Sequence, residues 1–232
     1  MCGAGFIKSN TGVVRELRLL KHQLYKNTTG NFGPLVHDNS GQITRCYSAA
    51  DPDVKCYTKI LFNYVGGLVG TNDGTISYCS TSGDVRASAT ENYSLYYMGG
   101  IVGDFEITST TTGSLTIKNS FNAGTLTSSG SPYSITFGGI ISTANYNTVK
   151  LSNCYNAASL NVANTSKGGA IVSNVDFNGT LENCYYLEGG ISDAHATKLS
   201  IGDAISKDAY SGFDFDNIWT LDNSFIYPQL TS

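Results

Sequence analysis

Short apolar runs recur along the chain, and each is separated from the next by glycine, asparagine or serine. In the stretch GGLVGTNDGTISYC, residues 66–79, the apolar residues Leu68, Val69 and Ile76 stand between glycines and small polar residues. The runs are too short and too irregular for amphipathic helices, and β-branched residues are common in them. The pattern therefore predicts short strands joined by tight bends.

The same pattern begins at residues 4, 33, 66, 99, 138 and 168, so the chain contains six copies of one unit. Such a unit cannot bury its apolar side chains alone. Stacked copies can, because each strand then pairs in parallel with its counterpart one coil away. Crossovers between parallel strands are overwhelmingly right-handed. We therefore predict an all-β fold, a right-handed parallel β-helix (β-solenoid) of about six coils with a C-terminal cap.

Glycine has two predicted roles in these coils. The pair Gly66-Gly67 is expected where the chain turns tightly and stacks on an identical turn, which leaves no room for Cβ atoms. Asn-x-Gly segments, such as Asn72 to Gly74, are expected to form corners in which Asn and Gly adopt left-handed backbone angles.

The repeats stop after Tyr186. We therefore assign residues 1–188 to the solenoid and residues 189–232 to a capping segment of the same domain. Because the end of a solenoid exposes its interior and its unpaired strand edges, we expect this segment to plug it. The predicted plugs are the aromatic residues Phe213, Phe215, Trp219, Phe225 and Tyr227.

The stretches GGLVGTNDGTISYC and GGIVG, with the later NCYNAAS and NCYY, resemble the GLUG-motif repeats of bacterial surface and secreted proteins, which include adhesin-like and immunoglobulin-A-protease-associated chains. The resemblance extends from about Gly3 to Leu230, with departures at Pro34 and Ser120. It implies a β-solenoid that is extracellular or on the bacterial cell surface and is often part of a larger protein. It implies no catalytic residues, because the motif is structural.

Charge and composition narrow the possible functions. Only 14% of the residues are charged and the formal net charge is −4, which argues against binding to nucleic acid or to anionic membrane surfaces. The sequence has no apolar run of transmembrane length. It begins without a signal segment, so we expect the chain to be part of a longer protein.

One repeat position carries most of the cysteines, and the six copies place there Leu17, Cys46, Cys79, Ser120, Cys154 and Cys184. The cysteine spacing contains no C-x-x-C pair, which disfavours zinc or dithiol chemistry. In-register parallel strands point neighbouring Cβ atoms the same way, which suits a disulfide poorly. We therefore predict a ladder of buried thiols. The disposition of Cys2 and Cys56 stays undetermined.

The residues on either side of this position also repeat. Asn119, Asn153 and Asn183 precede it, and stacked amides at a corner can hydrogen-bond from coil to coil. An aromatic stack is predicted immediately after it, at Tyr47, Phe121, Tyr155 and Tyr185. Both ladders are interpreted as structural, although tyrosines on a solenoid face could also stack on sugar rings.

Catalysis is disfavoured by the placement of the ionisable residues. Parallel β-helices do host polysaccharide lyases and glycosidases, and glycoside hydrolysis needs two carboxylates placed together. The sequence shows no aligned pair of acids at successive coils. The histidines His22, His37 and His195 occupy unrelated repeat positions. We predict no catalytic residue, no metal site and no cofactor.

Insertions enlarge the coil that begins at Gly99, and insertions in solenoids often form the binding face. On that side we predict an exposed aromatic strip that binds a ligand, beside Asp104 and Glu106. Its residues are Tyr93, Tyr96, Tyr97, Phe105 and Tyr133. The alternative is that these side chains only cover the outside of the solenoid.

The leading interpretation is a non-enzymatic, adhesive or structural module of a bacterial cell-surface or secreted protein. Two alternatives stay open: a polysaccharide-acting enzyme or enzyme-associated β-helix, and a carbohydrate-binding module that uses the tyrosine-rich insertions. The expected partner is a host or microbial glycan or a surface protein, whereas nucleic acid and a membrane span are not expected. The sequence specifies neither the ligand nor the oligomeric state.

Overall fold

The computed structural model describes residues 5–22, 30–50, 54–58, 62–89, 95–105, 114–130, 133–144, 148–162, 167–173, 177–222 and 224–231. Over these residues the chain is a parallel β-solenoid with almost no helix, which confirms the fold predicted from the repeats. The helix α1 (Ile201–Ala204) is a single turn, and a 3-10 turn covers Lys207–Ala209.

The strands are short and follow one another at the spacing of the apolar runs. In chain order they are β1 (Ile7–Asn10), β2 (Val13–Arg15), β3 (Arg18–His22), β4 (Gly30–Phe32), β5 (Val36–Asn39), β6 (Gln42–Thr44), β7 (Tyr47–Ala50), β8 (Val54–Thr58), β9 (Phe62–Gly66), β10 (Val69–Asn72), β11 (Thr75–Ser77), β12 (Ser80–Ser82), β13 (Val85–Ala89), β14 (Leu95–Gly99), β15 (Val102–Asp104), β16 (Thr116–Asn122), β17 (Leu126–Gly130), β18 (Ser134–Gly138), β19 (Lys150–Asn156), β20 (Leu160–Asn161), β21 (Gly168–Gly169), β22 (Thr180–Glu182), β23 (Tyr185–Leu187), β24 (Thr197–Leu199), β25 (Trp219–Thr220) and β26 (Gln229–Leu230).

Four parallel sheets form the walls of the solenoid. Sheet A contains β1, β5, β10 and β15, sheet C contains β8, β13, β17 and β20, and sheet D contains β4, β9, β14, β18 and β21. Sheet B has eleven strands, because each coil bends within this sheet and contributes a segment on either side of the bend. Within one coil the chain passes through sheets D, A, B and C in that order.

About four coils are complete. Sheet C contains four strands, whereas one half of sheet B is six strands deep, in the order β2-β6-β11-β16-β19-β22. All six repeats are therefore present, but within the described residues the first and the last contribute only part of a coil. The expectation of six coils is corrected to about four complete coils with partial coils at both ends.

The buried side chains form two separate cores along the length of the solenoid. The first core lies against sheets A and B and contains residues such as Val69 and Ile76. The second lies against sheets C and D and contains residues such as Val85 and Met98. Equivalent positions stack in register, so every second residue of each strand points to the same side in every coil.

A column of polar side chains stands beside the glycine pairs. The single hydroxyl hydrogen of Thr81 is shared between two acceptors, the carbonyl oxygen of Gly100 and Asn122 Oδ1, each 2.9 Å from Oγ1. Asn122 Nδ2 in turn donates to Asn156 Oδ1 at 3.0 Å. These buried polar groups are thus paired with one another and with the backbone, as burial requires.

The glycine pair has the steric role that the sequence predicts. A Cβ atom on Gly67 would lie 2.2 Å from the carbonyl oxygen of Gly100 in the next coil. The mechanism predicted for the Asn-x-Gly segments is wrong, because neither Asn72 nor Gly74 has a left-handed φ. Gly74 is required for the same steric reason, since its Cβ atom would lie 2.1 Å from the carbonyl oxygen of Gly41.

Left-handed backbone angles occur instead at the bend of sheet B. There the residue before the cysteine position has a φ between 48° and 57° in all six repeats, at Glu16, Arg45, Tyr78, Asn119, Asn153 and Asn183. Asparagine tolerates this conformation better than most residues with a side chain. The conformation therefore accounts for the three asparagines at this position.

The part of the C-terminal segment that follows β24 covers the side of the solenoid, whereas β24 itself pairs with β23 at the end of sheet B. Phe213 and Trp219 are buried in a third cluster with Phe121 and Tyr155, which follow the cysteine position and so point outward from sheet B. The Trp219 ring stacks on Phe213 with a centroid distance of 4.5 Å. The prediction that these aromatic residues plug the open end is wrong, and Phe225, which is 45% exposed, plugs nothing.

A carboxylate accepts the unpaired backbone N–H groups at the end of the last coil. In the preceding coils, two consecutive backbone N–H groups at the start of sheet A donate to one carbonyl oxygen of the next coil, as Ile140 and Ile141 do to Ile171. At the end of the stack, the N–H groups of Ile171 and Val172 donate to Oδ2 of Asp193 at 2.8 and 3.0 Å. Asp193 supplies the acceptor that a further coil would have supplied.

Candidate binding site

Two columns of side chains lie side by side along sheets D and A; the column on sheet D is half-buried, whereas Thr71 and Asp104 on sheet A are buried. On sheet D, strand pairing places Asn31 beside Tyr64 and Tyr64 beside Tyr97, and Thr136 follows Tyr97. All four residues are half-buried. Side chains alternate across a strand, and the neighbouring residues point into the second core, so these four point outward.

The column on sheet A is polar. Strand pairing aligns Ser9, Asp38, Thr71 and Asp104 in consecutive coils. Each of them lies five residues after the first residue of its repeat. The column therefore carries two carboxylates in coils that are separated by the coil of Thr71.

Two glycines on sheet A bring the columns together. A Cβ atom on Gly70 would lie 2.7 Å from the backbone nitrogen of Phe32, and one on Gly103 would lie 2.5 Å from that of Val65. Sheets A and D thus approach each other more closely than residues with side chains would allow. The side chains that follow these glycines, Thr71 and Asp104, meet those of sheet D beneath the surface, since they are 3% and 8% exposed.

Asp38 is the centre of the hydrogen bonds between the columns. Asn31 Nδ2 donates to Asp38 Oδ1 at 2.5 Å and to Thr71 Oγ1 at 3.1 Å. Thr71 Oγ1 donates to the same Asp38 oxygen at 2.8 Å, and His37 Nδ1 lies 2.7 Å from Asp38 Oδ2. The carboxylate is held in one orientation by three side chains.

The surroundings shift the pKa values of two groups in opposite directions. Burial raises the pKa of the Asp38 carboxyl, but the hydrogen bonds from Asn31, His37 and Thr71 outweigh it, so this pKa lies below the usual value. Burial raises the pKa of the Tyr97 hydroxyl, and the negative charge of Asp104 raises it further. At neutral pH, Asp38 is therefore ionised and Tyr97 is protonated.

Tyr64 and Tyr97 form an aromatic pair at the middle of the two columns. Their ring centroids lie 5.2 Å apart, with 38° between the ring planes. Asp104 lies beside the pair and is fixed by hydrogen bonds to its Oδ1 from Ser142 Oγ at 3.0 Å and Thr143 Oγ1 at 2.5 Å. The two columns are called the Tyr64–Tyr97 strip below, and the strip consists of Asn31, Tyr64, Tyr97, Thr136, Asp38, Thr71 and Asp104.

The aromatic strip predicted from the sequence is only partly at the surface. Tyr96 is 1% exposed in the second core and Phe105 is 4% exposed in the first. Their predicted exposure is wrong, because Tyr96 alternates with Tyr97 along β14 and Phe105 continues inward from β15. Tyr97 is half-buried and Tyr133 is 70% exposed. Tyr93 lies outside the described residues, and so does Glu106.

Sequence reasoning missed Tyr64 and the alignment of Asp38 with Asp104. The statement that no acids align was based on successive coils, and here Thr71 occupies the coil between the two acids. A comparison at a fixed distance from the start of each repeat would have found the column, since all of its members share one offset.

The structure places the cysteines of the repeat position in the first core. Cys46, Cys79, Cys154 and Cys184 are buried free thiols, and the other two repeats carry Leu17 and Ser120 at this position. Burial raises the pKa of the Cys79 and Cys154 thiols well above the usual value, so these thiols are protonated at neutral pH and unreactive. Cys2 lies outside the described residues, and only the backbone of Cys56, in β8, is described.

The three asparagines at the bend of sheet B are hydrogen-bonded from coil to coil. Asn153 Nδ2 donates to Asn119 Oδ1 at 3.1 Å, and Asn183 Nδ2 donates to Asn153 Oδ1 at 3.1 Å. A second amide ladder, which sequence analysis did not assign, runs along the Asn-x-Gly bends. In it Asn10 Nδ2 donates to Asn39 Oδ1 at 2.6 Å, and Asn39 donates to Asn72.

Other features of the described residues offer less chemistry. A shallow groove of about 420 Å³ runs along the stacked Asn-x-Gly bends, and most of its lining is backbone and hydroxyl groups. Within the described ranges, no three His, Cys, Asp or Glu side chains are grouped closely enough to hold a metal ion. No helix in the described part of the chain has the length and apolar character needed to cross a membrane.

The family comparison agrees with the repeat that runs through the middle of the strip. Residues 63–86 match the family model described as the GLUG motif. The match confirms the resemblance to the GLUG motif for this coil. The GLUG segment spans one coil from β9 to β13 and supplies Tyr64 and Thr71 of the Tyr64–Tyr97 strip.

A solved structure shares the fold over nearly the whole chain. It is a candidate immunoglobulin A1 protease from Bacteroides ovatus, with a TM-score of 0.69 and 18% sequence identity. The alignment covers 97% of this chain and 70% of that protein. At this identity the likeness concerns the fold alone. No curated protein matches the chain.

Proposed function

We propose that this chain is a non-enzymatic adhesive module of a secreted or cell-surface bacterial protein, and that the Tyr64–Tyr97 strip is its binding surface. The observation that carries the proposal is the half-buried tyrosine pair set among side chains that hydrogen bonds hold in place. Rigid aromatic side chains contribute much to binding because they lose little conformational entropy. The GLUG motif occurs in surface and secreted proteins, which supports the proposed location of the chain.

The rest of the described solenoid has the properties of a scaffold. Both cores are filled by side chains such as Leu68 and Phe137, which are fully buried. The amide ladders and in-register strands join each coil to the next without a gap. Such an assembly holds an outer surface rigidly, and a partner would bind to that surface and not inside the coils.

The proposal is tested by measuring adhesion of the purified chain to immobilised mucin and to bacterial cell-wall preparations. Saturable binding that falls at least fivefold in Tyr97→Ala, with an unchanged melting temperature, is the expected result. Phe225→Ala is the matched control, because it removes an exposed aromatic ring from the C-terminal segment. Absence of saturable binding to either surface would leave a structural role alone.

One observation favours a second function, a polysaccharide-acting enzyme. Asp38 and Asp104 lie two coils apart in one column, about 9–10 Å at the spacing of strands in a sheet. Carboxylates of inverting glycosidases are about 6.5–9.5 Å apart. However, a general acid needs a raised pKa, and that of Asp38 is lowered, while Asp104 is buried and hydrogen-bonded.

The enzymatic alternative has a direct test. The chain is incubated with neutral polysaccharides, and the release of reducing ends is compared with that of Asp38→Asn. We expect no release above the buffer rate from either protein. Release by the parent chain that disappears in Asp38→Asn would establish the enzyme and reject the non-enzymatic proposal.

A further inference from the structure

We infer that the Tyr64–Tyr97 strip takes a neutral polysaccharide, which lies parallel to the solenoid axis with its sugar rings against the tyrosine rings. This inference rests on the proposed adhesive function and adds to it the chemical class of the ligand and its direction. Three features of the strip carry it: the aromatic rings, the direction of the columns and the charge.

The aromatic pair suits the apolar face of a sugar ring. Tyr64 and Tyr97 are half-buried, so their positions are fixed while part of each ring stays accessible. A pyranose ring presents C–H groups on its face and hydroxyls at its edge. The face can lie on a tyrosine ring, and the hydroxyls then reach the carboxylate of Asp38 in the flanking column, whose side chain is 39% exposed.

The columns set the direction of the ligand. Asn31, Tyr64, Tyr97 and Thr136 occupy four consecutive coils, so the column is about 14 Å long at about 4.8 Å per coil. The column of Asp38 and Asp104 runs beside it over the same coils. An elongated ligand that runs along the axis contacts the half-buried column of sheet D over its whole length, whereas one that lies across the axis meets that column once.

The charge of the strip selects against acidic glycans. Asp38 and Asp104 are its only charged members, and the strip contains neither lysine nor arginine. The pKa of Asp38 is lowered, so this carboxylate stays ionised at neutral pH. A sulfated or uronic-acid chain along the columns would bring like charges together. The exposed part of the Asp38 carboxylate can accept a hydrogen bond from a neutral sugar hydroxyl, so an uncharged polysaccharide fits.

Isothermal titration calorimetry with the whole chain tests the inference, with cellohexaose and chitohexaose as neutral probes and a heparin hexasaccharide as the acidic one. We expect at least one neutral probe to bind, with the heparin probe at least tenfold weaker. We expect Tyr64→Ala and Tyr97→Ala each to weaken the neutral complex roughly tenfold, and Phe225→Ala to leave it unchanged.

Tyr97→Leu is a second variant that keeps an apolar side chain of similar reach but lacks a ring face, and it serves if Tyr97→Ala does not fold. Chemical-shift changes of the tyrosine rings on adding the neutral probe to the parent chain are an independent measurement. Three results would overturn the inference: no binding of either neutral probe at millimolar concentration, equal affinity in the parent and both tyrosine variants, or tighter binding of heparin. A chain that adheres to mucin or cell walls but fails these tests retains the proposed function and loses the polysaccharide.

Discussion

Replacing Asp193 with alanine should destabilise the solenoid from its C-terminal end. The carboxylate accepts the N–H groups of Ile171 and Val172 at 2.8 and 3.0 Å, and Asp193 itself is 7% exposed. Its second oxygen accepts the N–H of His195 at 2.9 Å. Ile171 and Val172 are fully buried at the end of the first core.

The magnitude follows from the groups that lose their acceptor. A buried N–H group left without a partner costs about 1–3 kcal/mol. Two such neighbours are not additive, so we expect Asp193→Ala to lower the free energy of unfolding by about 2–4 kcal/mol. Asp193→Asn keeps an oxygen of the same size but loses the charge, and we expect a loss of about 1–2 kcal/mol.

Urea unfolding, followed by the fluorescence of Trp219 and by circular dichroism, measures these differences. Trp219 is the single tryptophan and is fully buried against the side of the solenoid. Asp208→Ala is the control, since it removes an exposed carboxylate from the same C-terminal segment. If Asp193→Ala unfolds within about 0.5 kcal/mol of the parent, the carboxylate does not replace a coil and the reasoning is refuted.

The other predictions concern the coils themselves. Gly67→Val should lower the melting temperature strongly, because its Cβ atom would lie 2.2 Å from a carbonyl oxygen. Gly190→Val is the control and should not lower it, since nothing lies within 4 Å of a Cβ atom at that position. Equal melting temperatures of the two variants would contradict the stacking argument. Asn153→Ala should cost about 2 kcal/mol, from the left-handed φ and the lost amide bonds, and Asn153→Gly, which relieves the strain, should cost less in the same urea titration. Because the pKa of Asp38 is lower in the folded chain, its contribution to stability is complete above the unfolded pKa of about 3.9 and is lost as the pH falls through the folded value. Between pH 7 and pH 3 the parent should therefore lose more stability than Asp38→Asn, and equal losses in urea titrations would refute the assignment.

The fold could be predicted because the sequence pattern that indicates it occurs in every repeat. Six copies of a short strand pattern each point to stacking, and one misread copy changes little. The glycine pair was interpreted correctly because close stacking excludes Cβ atoms at every coil in the same way. The number of complete coils was overestimated, because a repeat at either end can supply strands to sheet B without closing a coil.

The C-terminal segment could not be placed from its composition. Its buried aromatic residues, Phe213 and Trp219, fit the open end of a solenoid as well as its side. The side is favoured over the end because sheet B carries a ladder of outward-facing aromatic side chains, with Phe121 stacked on Tyr155 at 5.0 Å, and these apolar rings have to be shielded from water. The end is closed instead by β24, which pairs with β23, and by the carboxylate of Asp193, and no local pattern distinguishes this aspartate from others in turns.

The candidate site depends on the register of one strand, which explains why its residues were only partly predicted. A shift of one residue exchanges the two sides of a strand, so Tyr96 and Tyr97 could not be assigned to the core and the surface from their identity alone. The coil is stabilised by its inward-facing residues and by the close approach at glycines such as Gly70 and Gly103. Outward-facing residues such as Tyr64 can therefore be substituted at little cost to the stability of the coil. Solenoids with the same coil can therefore carry different surface columns, and a shared fold at 18% identity gives no information about the ligand. The ligand has to be inferred from the side chains of the strip itself, and the decisive measurements are those made on its tyrosines.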